Sequence, residues 1–224
     1  MKKGKLIVIE GIDGSGKATQ TKKLINYLRR DGKKVATFAF PRHGKQIFGL
    51  MVDDYLNNKF GDAAKLDPHI SSLFFACDRF EAKDKINKWL KEGNIVILDR
   101  YATSNMAHQA SKIRSRKKRD QFLKWLARME FNTFQIPKPD MVIYLDVDPV
   151  IVRRLMKYRS KIGKEYIKGS RDGHERNKNH LTEAANAYKY LAKKYNYWTS
   201  IKCTHNNKLL TIDQIHDNII KTIQ

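Results

Sequence analysis

Gly11-Ile-Asp-Gly-Ser-Gly-Lys-Ala18 follows directly on the apolar run 6–9 and nearly matches the phosphate-binding pattern GxxxxGK[ST]. Glycines at this spacing let the backbone wrap a phosphate chain with its N–H groups pointing inward, and the lysine adds a mobile positive charge. A helix opening at Lys17 would present its positive end to the same anion. The stretch Gly11, Ile12, Asp13, Gly14, Ser15, Gly16, Lys17, Ala18 and Thr19 is therefore expected to hold the polyphosphate of ATP. One position departs from the pattern: Ala18 stands where a serine or threonine hydroxyl normally holds Mg²⁺.

Working outward from the loop, apolar runs at 6–9, 35–40, 95–98, 141–146 and 198–203 alternate with longer amphipathic segments. That alternation predicts an α/β fold, a five-stranded parallel sheet with helices on both faces. Helices are expected over 17–30, 44–58, 69–91, 102–112, 116–131, 148–160, 177–195 and 211–223. Gly32 and Gly93 end helices, Asp67-Pro68 and Asp148-Pro149 each place a cap before a first-turn proline, and Pro137-Lys-Pro139 forces an extended approach to the fourth strand. Residues 160–176, rich in charge and glycine with little periodicity, read as a basic lid able to close over a nucleotide.

At 224 residues the chain has material for one sizeable core, so a single domain over 1–224 is expected. It carries no apolar stretch of about 18 residues that would span a membrane, and the run after the basic N-terminus is too short for a signal peptide. Two distant cysteines, Cys77 and Cys203, argue against a disulfide framework or zinc cluster and for a reducing cytoplasm. The net charge of +22 invites a nucleic-acid reading. Most of the excess, however, is lysine scattered over predicted helices, the pattern of solvated faces, with Arg114-Ser-Arg-Lys-Lys-Arg119 as the one dense block. A P-loop protein whose main task is binding nucleic acid stays as the alternative.

A second informative segment is Gly93-Asn-Ile-Val-Ile-Leu-Asp99-Arg100-Tyr101, an apolar strand with an acid and an arginine at its carboxyl end. In a parallel sheet ligands bind at that end, beside the phosphate loop. Asp99 can organise Mg²⁺ through water there, and Arg100 can grip a phosphate.

Taken in order, EGIDGSGKATQ, FPRHGK, LFFACDRF, DRYATSNMAHQ and PKPDMVIYLDVDP resemble the thymidylate kinase family from end to end. The resemblance implies transfer of the γ-phosphate of ATP to dTMP, giving dTDP for dTTP synthesis, with Mg²⁺ as cofactor, on a P-loop nucleoside monophosphate kinase fold that is usually a homodimer. A kinase for another nucleoside monophosphate is the runner-up within the same chemistry.

The resemblance also implies roles. Asp13 sits beside the acceptor nucleotide and the metal, Lys17 follows the transferring phosphoryl group, and Arg100 holds the dTMP phosphate. Phe75 stacks on thymine and Arg79 hydrogen-bonds the base; their spacing of four puts both on one helix face. Phe40 and Arg42 line the acceptor pocket, Arg42 near the phosphate, while Asn105 and Gln109 face base and sugar. Asp13 and Asp99 reach the metal indirectly, through water. Among Arg153, Arg154 and Arg159, Arg159 lies nearest the lid and is the expected transition-state cation. The pair Asp172 and Glu175 stands after the lid as an indirect metal contact or as a helix-start acid pair. His108 occupies a place that is often tyrosine. With Asp13, Asp99 and Thr19 still available, Ala18 is expected to alter metal dependence without abolishing activity.

Overall fold

A computed structural model describes residues 3–162, 178–206 and 208–223, with the side chains of 158–162 and 178–180 outside the description. Its centre is β1 (Lys5–Glu10), a strand whose residues after Lys5 are all buried. β1 lies between β3 (Ile95–Asp99) and β4 (Met141–Asp146), and β2 (Val35–Ala39) and β5 (Trp198–Lys202) close the flanks in the order β2-β3-β1-β4-β5. All four pairings are parallel. The three inner strands read as unbroken apolar runs because helices cover both of their faces, whereas the flanking strands are part-exposed.

Two helical layers flank this sheet. The first is α1 (Lys17–Arg30) packed with α8 (Ile212–Ile223); the second is α3 (Pro68–Lys91), α4 (Ala102–Ser111) and α7 (Lys178–Lys194). α2 (Gln46–Leu56) packs on α3, α5 (Arg116–Ala127) follows α4, and α6 (Pro149–Ile162) follows β4. The expected caps are present: Asp67 accepts from the His69 N–H at 2.7 Å and Asp148 from the Val150 N–H at 2.7 Å. Gly32 and Gly93 adopt φ of 69° and 79°, the left-handed geometry that stops a helix. Asp140 fixes the entry to β4 by accepting from the Leu6 N–H at 2.7 Å while its own N–H donates to the Leu6 carbonyl at 2.9 Å.

Two elements differ from expectation. The helix expected over 116–131 is α-helical only to Ala127, then widens into a π-helical turn, Arg128–Thr133. After β5 a short antiparallel ladder, β6 (Thr204–His205) with β7 (Lys208–Leu209), precedes α8. The basic block 114–119 serves as a helix start. Ser115 caps α5 through the Lys118 N–H, and Arg119 donates to the Ile113 carbonyl at 2.9 and 3.1 Å. The expected lid and the pair Asp172 and Glu175 lie outside the described residues apart from the end of α6.

Candidate active site

The loop between β1 and α1 is built by its glycines. Gly14 and Gly16 take φ of 78° and 93°, and Gly16 is the last residue before α1 begins. A Cβ at Gly14 would lie 2.8 Å from Val152 Cγ1 and 3.3 Å from Met156, so the loop rests directly on α6. Lys17 folds back inside it, Nζ donating to the carbonyls of Gly11 at 2.9 Å and Ile12 at 3.0 Å, with Asp13 at 3.9 Å. Burial, and then the nearby Arg100, pull the Lys17 ammonium down to about 8 against the opposing pull of Asp13, Asp99 and Glu10.

Arg100, at the carboxyl end of β3, reaches the same point. Its Nη2 pairs with Asp13, and Nη1 donates to His108 Nε2 at 3.2 Å, which needs an unprotonated nitrogen there. Burial opposes the charge on Arg100, but Asp13 outweighs it and holds the guanidinium above its ordinary pKa. Arg100 also adopts φ of 68°, a conformation that costs a non-glycine residue roughly 1 kcal/mol. Surrounding bonds impose it: the Arg100 N–H donates to the Ile9 carbonyl at 3.1 Å, and the next N–H, on Tyr101, goes to Glu10 Oε1 at 3.2 Å.

Glu10 is a residue that sequence reasoning passed over. It is completely buried at the end of β1 and also accepts from the hydroxyls of Thr103 at 2.6 Å, Ser104 at 2.7 Å and Tyr188 at 2.8 Å. Four donors satisfy the carboxylate and tie β1, the start of α4 and α7 into one unit. The signal was present: an acid closing a run of buried aliphatics, directly before the loop.

The match to known proteins decides the family. The family model described as thymidylate kinase covers residues 9–217. The chain belongs to that family. It is 37% identical to the thymidylate kinase of Mycobacterium tuberculosis over 142 residues, 63% of this chain and 65% of that one, so the match spans just under two thirds of that relative. Against the thymidylate kinase of Plasmodium falciparum the identity is 30% over 226 residues, covering 99% of this chain and 90% of the other. In fold it is similar to the thymidylate kinase of Candida albicans, with a TM-score of 0.74 at 22% identity over 99% of this chain and 91% of that one.

The other residues that the thymidylate kinase pattern singled out lie on α3 and α4, just after β2, and on α6. Phe75 is half-buried on α3, edge-on to Tyr55 at 5.7 Å, while its neighbour Phe74 stacks between Tyr55 and Phe60. Arg79, Asn105 and Gln109 are buried beside it on α3 and α4. Arg79 pairs with Glu130, Asn105 Nδ2 donates to the Ser72 carbonyl at 3.0 Å, and Gln109 Oε1 accepts from the Ser71 hydroxyl at 2.8 Å. Phe40, expected to line the acceptor pocket, is buried just after β2 with its ring 6.1 Å from Phe38 and 5.9 Å from Tyr101. Arg42 follows a cis Phe40-Pro41 bond and is clamped by acids on α3. Its Nε donates to Asp78 Oδ1 at 2.8 Å and its Nη2 to Glu81 at 2.6 Å. The short spacing of Asp78 and Glu81, one helical turn, explains the clamp. Among the arginines near the lid, Arg153 donates to Thr182 on α7 at 3.3 Å and Arg154 is exposed; the Arg159 side chain lies outside the described residues.

Among the described residues no three His, Cys, Asp or Glu side chains converge as a metal cage. What the site offers is Asp13 together with Asp99, whose Oδ1 is buried without a hydrogen-bond partner among the described residues and whose pKa burial raises. Thr19 is exposed, but two other hydroxyls, Ser15 Oγ and Thr21 Oγ1, are buried near the loop and likewise unpartnered there. Such a set fits Mg²⁺, which keeps several waters and takes its remaining ligands from substrate phosphates and one or two carboxylates.

Proposed function

We propose that the chain transfers the γ-phosphate of ATP to dTMP, giving dTDP. The observation that carries this reading is the convergence of Lys17, Asp13 and Arg100 at the carboxyl ends of β1 and β3, with Arg100 tied through His108 to α4, the helix that carries Asn105. Phosphoryl transfer asks the protein chiefly for alignment and charge neutralisation, and two cations held in a water-poor loop by one carboxylate are suited to that. The loop amides and Lys17 hold the donor phosphates, Arg100 holds the acceptor phosphate, and Asp13 orients Arg100. Asp13 and Asp99 are the residues that would hold Mg²⁺, which when bound would supply charge neutralisation at the donor phosphates.

A coupled assay with ATP and dTMP across Mg²⁺ concentrations tests the reading: turnover is expected, and no turnover at any concentration refutes it. Running dUMP, dGMP and dCMP in parallel separates it from a kinase for another monophosphate, which would prefer one of those. The same reading places the enzyme in a reducing cytoplasm, which suits its two free cysteines. We also propose a homodimer built on α3. Ile70, Leu73 and Phe80 are 50%, 41% and 43% exposed at the spacing of one helix stripe, with Ile47 and Leu50 exposed on the adjoining α2.

A further inference from the structure

Glu130 is wholly buried and has no part in the reaction as described so far. A carboxylate withdrawn from water needs a cation and a set of donors. Glu130 has both: Arg79 Nε donates to Oε2 at 2.8 Å, Arg79 Nη2 to Oε1, and Asn105 Nδ2 reaches Oε1 at 3.3 Å. The residue is delivered by the π-helical turn at Arg128–Thr133, where the Phe134 N–H reaches back five residues to the Met129 carbonyl at 2.9 Å. Turns of this kind are rare and recur at functional sites.

Stability alone explains the pair poorly, because apolar residues of similar volume generally hold a core as well as a buried ion pair does. The orientation of the neighbouring groups explains it better. The two-point grip on Nε and Nη2 fixes the guanidinium plane and leaves Arg79 Nη1 outside the grip. Asn105 Nδ2 is directed at Glu130 and at the Ser72 carbonyl, at 3.3 and 3.0 Å. Both of those groups only accept, so the amide must turn its NH₂ toward them and its Oδ1 away. Phe75 lies one turn before Arg79 on the same face of α3.

We infer that Glu130 is the positioning residue that sets the order of donor and acceptor presented to the nucleotide base, Arg79 as donor and Asn105 Oδ1 as acceptor. A pyrimidine with a 4-carbonyl and an N3–H matches this order at both atoms. A pyrimidine with a 4-amino group and a bare N3 opposes it at both. Glu130 touches no substrate and acts through Arg79 and Asn105. The inference rests on the dTMP kinase reading and adds to it how thymine is told from cytosine.

Steady-state kinetics of wild type and Glu130→Gln with dTMP and with dCMP, at saturating ATP, test it. Loss of the charged anchor is expected to raise the dTMP KM about tenfold or more. It is also expected to cut the dTMP-over-dCMP preference in kcat/KM by about tenfold or more, leaving the KM for ATP unchanged. A folded Glu130→Gln with the wild-type preference overturns the inference, as does one that loses kcat/KM equally for both nucleotides, the mark of a purely structural role. Should Glu130→Gln not fold, Glu130→Asp keeps the charge but shortens its reach: a reduced preference supports the role, and an unchanged one overturns it. A wild-type protein that does not phosphorylate dTMP overturns the kinase reading and this role with it, whereas an active wild type with an unaltered preference in the variants overturns the role of Glu130 alone.

Discussion

Lys17 illustrates how one residue couples activity to pH. Its pKa of about 8, set first by burial and then by Arg100, makes the cation the minority form in mildly alkaline solution. The kcat/KM for dTMP is expected to fall along an alkaline limb with an apparent pKa near 8, read from a pH–rate profile. The stability contribution has the opposite sign. Between about 8 and the ordinary lysine value of 10.5 the unfolded chain binds the proton and the folded chain does not, so this group adds stability as pH rises through that window. Denaturant melts of wild type against Lys17→Met resolve it: the variant is expected to lack the rise and to lose at least about 10²-fold in kcat. Ala18→Thr is expected to lower the Mg²⁺ concentration giving half-maximal rate, measured by titration, because it restores a hydroxyl at the usual place. That Asp13, Lys17 and Arg100 come together was legible because the loop motif carries the first two and ligands in a parallel sheet gather at the carboxyl ends of the strands, where Arg100 lies. The clamp on Arg42 was not, since pairing with Asp78 depends on a contact 36 residues away.

At the scale of elements, the start of α4 is held by a residue from another strand. Tyr101 provides no side-chain cap, and Glu10 accepts the Tyr101 N–H and the hydroxyls of Thr103 and Ser104 in its place. Glu10→Gln turns one acceptor oxygen into a donor facing other donors. It is expected to cost about 1–3 kcal/mol in chemical denaturation. Because Arg100 depends on the same turn, kcat/KM for dTMP is expected to fall with it. The three inner strands of the sheet were readable from sequence because strands buried on both faces leave unbroken apolar runs, and the part-exposed flanking strands because their runs alternate with amphipathic helices. The π-helical turn was not, because one extra residue in a turn leaves the apolar spacing of 116–131 looking like an ordinary helix. The β6–β7 ladder was missed for a different reason: its strands are two residues each, too short for an alternation to show.

For the whole molecule, the charge of +22 and the apolar stripe pose separate questions. Phe74 and Trp89 turn inward onto Tyr55 and Phe38, leaving Ile70, Leu73 and Phe80 exposed on α3. Leu73→Glu is expected to convert a dimer to a monomer in sedimentation velocity without changing the melt of the isolated chain, since the side chain is 41% exposed. The charge is spread over helix surfaces, so RNA retention at low salt is expected to be non-specific and to collapse between roughly 50 and 200 mM salt. A filter-binding series with kinase activity followed in parallel checks this.

The seat of the phosphate loop on α6 limits how this chain could change over generations. Gly14 has a positive φ, and Val152 Cγ1 would sit 2.8 Å from any Cβ placed there. Acquiring an in-loop arginine at that place therefore requires a smaller residue at 152, and a backbone turn that tolerates a side chain, before the cation itself is useful. The packing beneath a single glycine thus closes one position of the loop to any side chain, a basic one included.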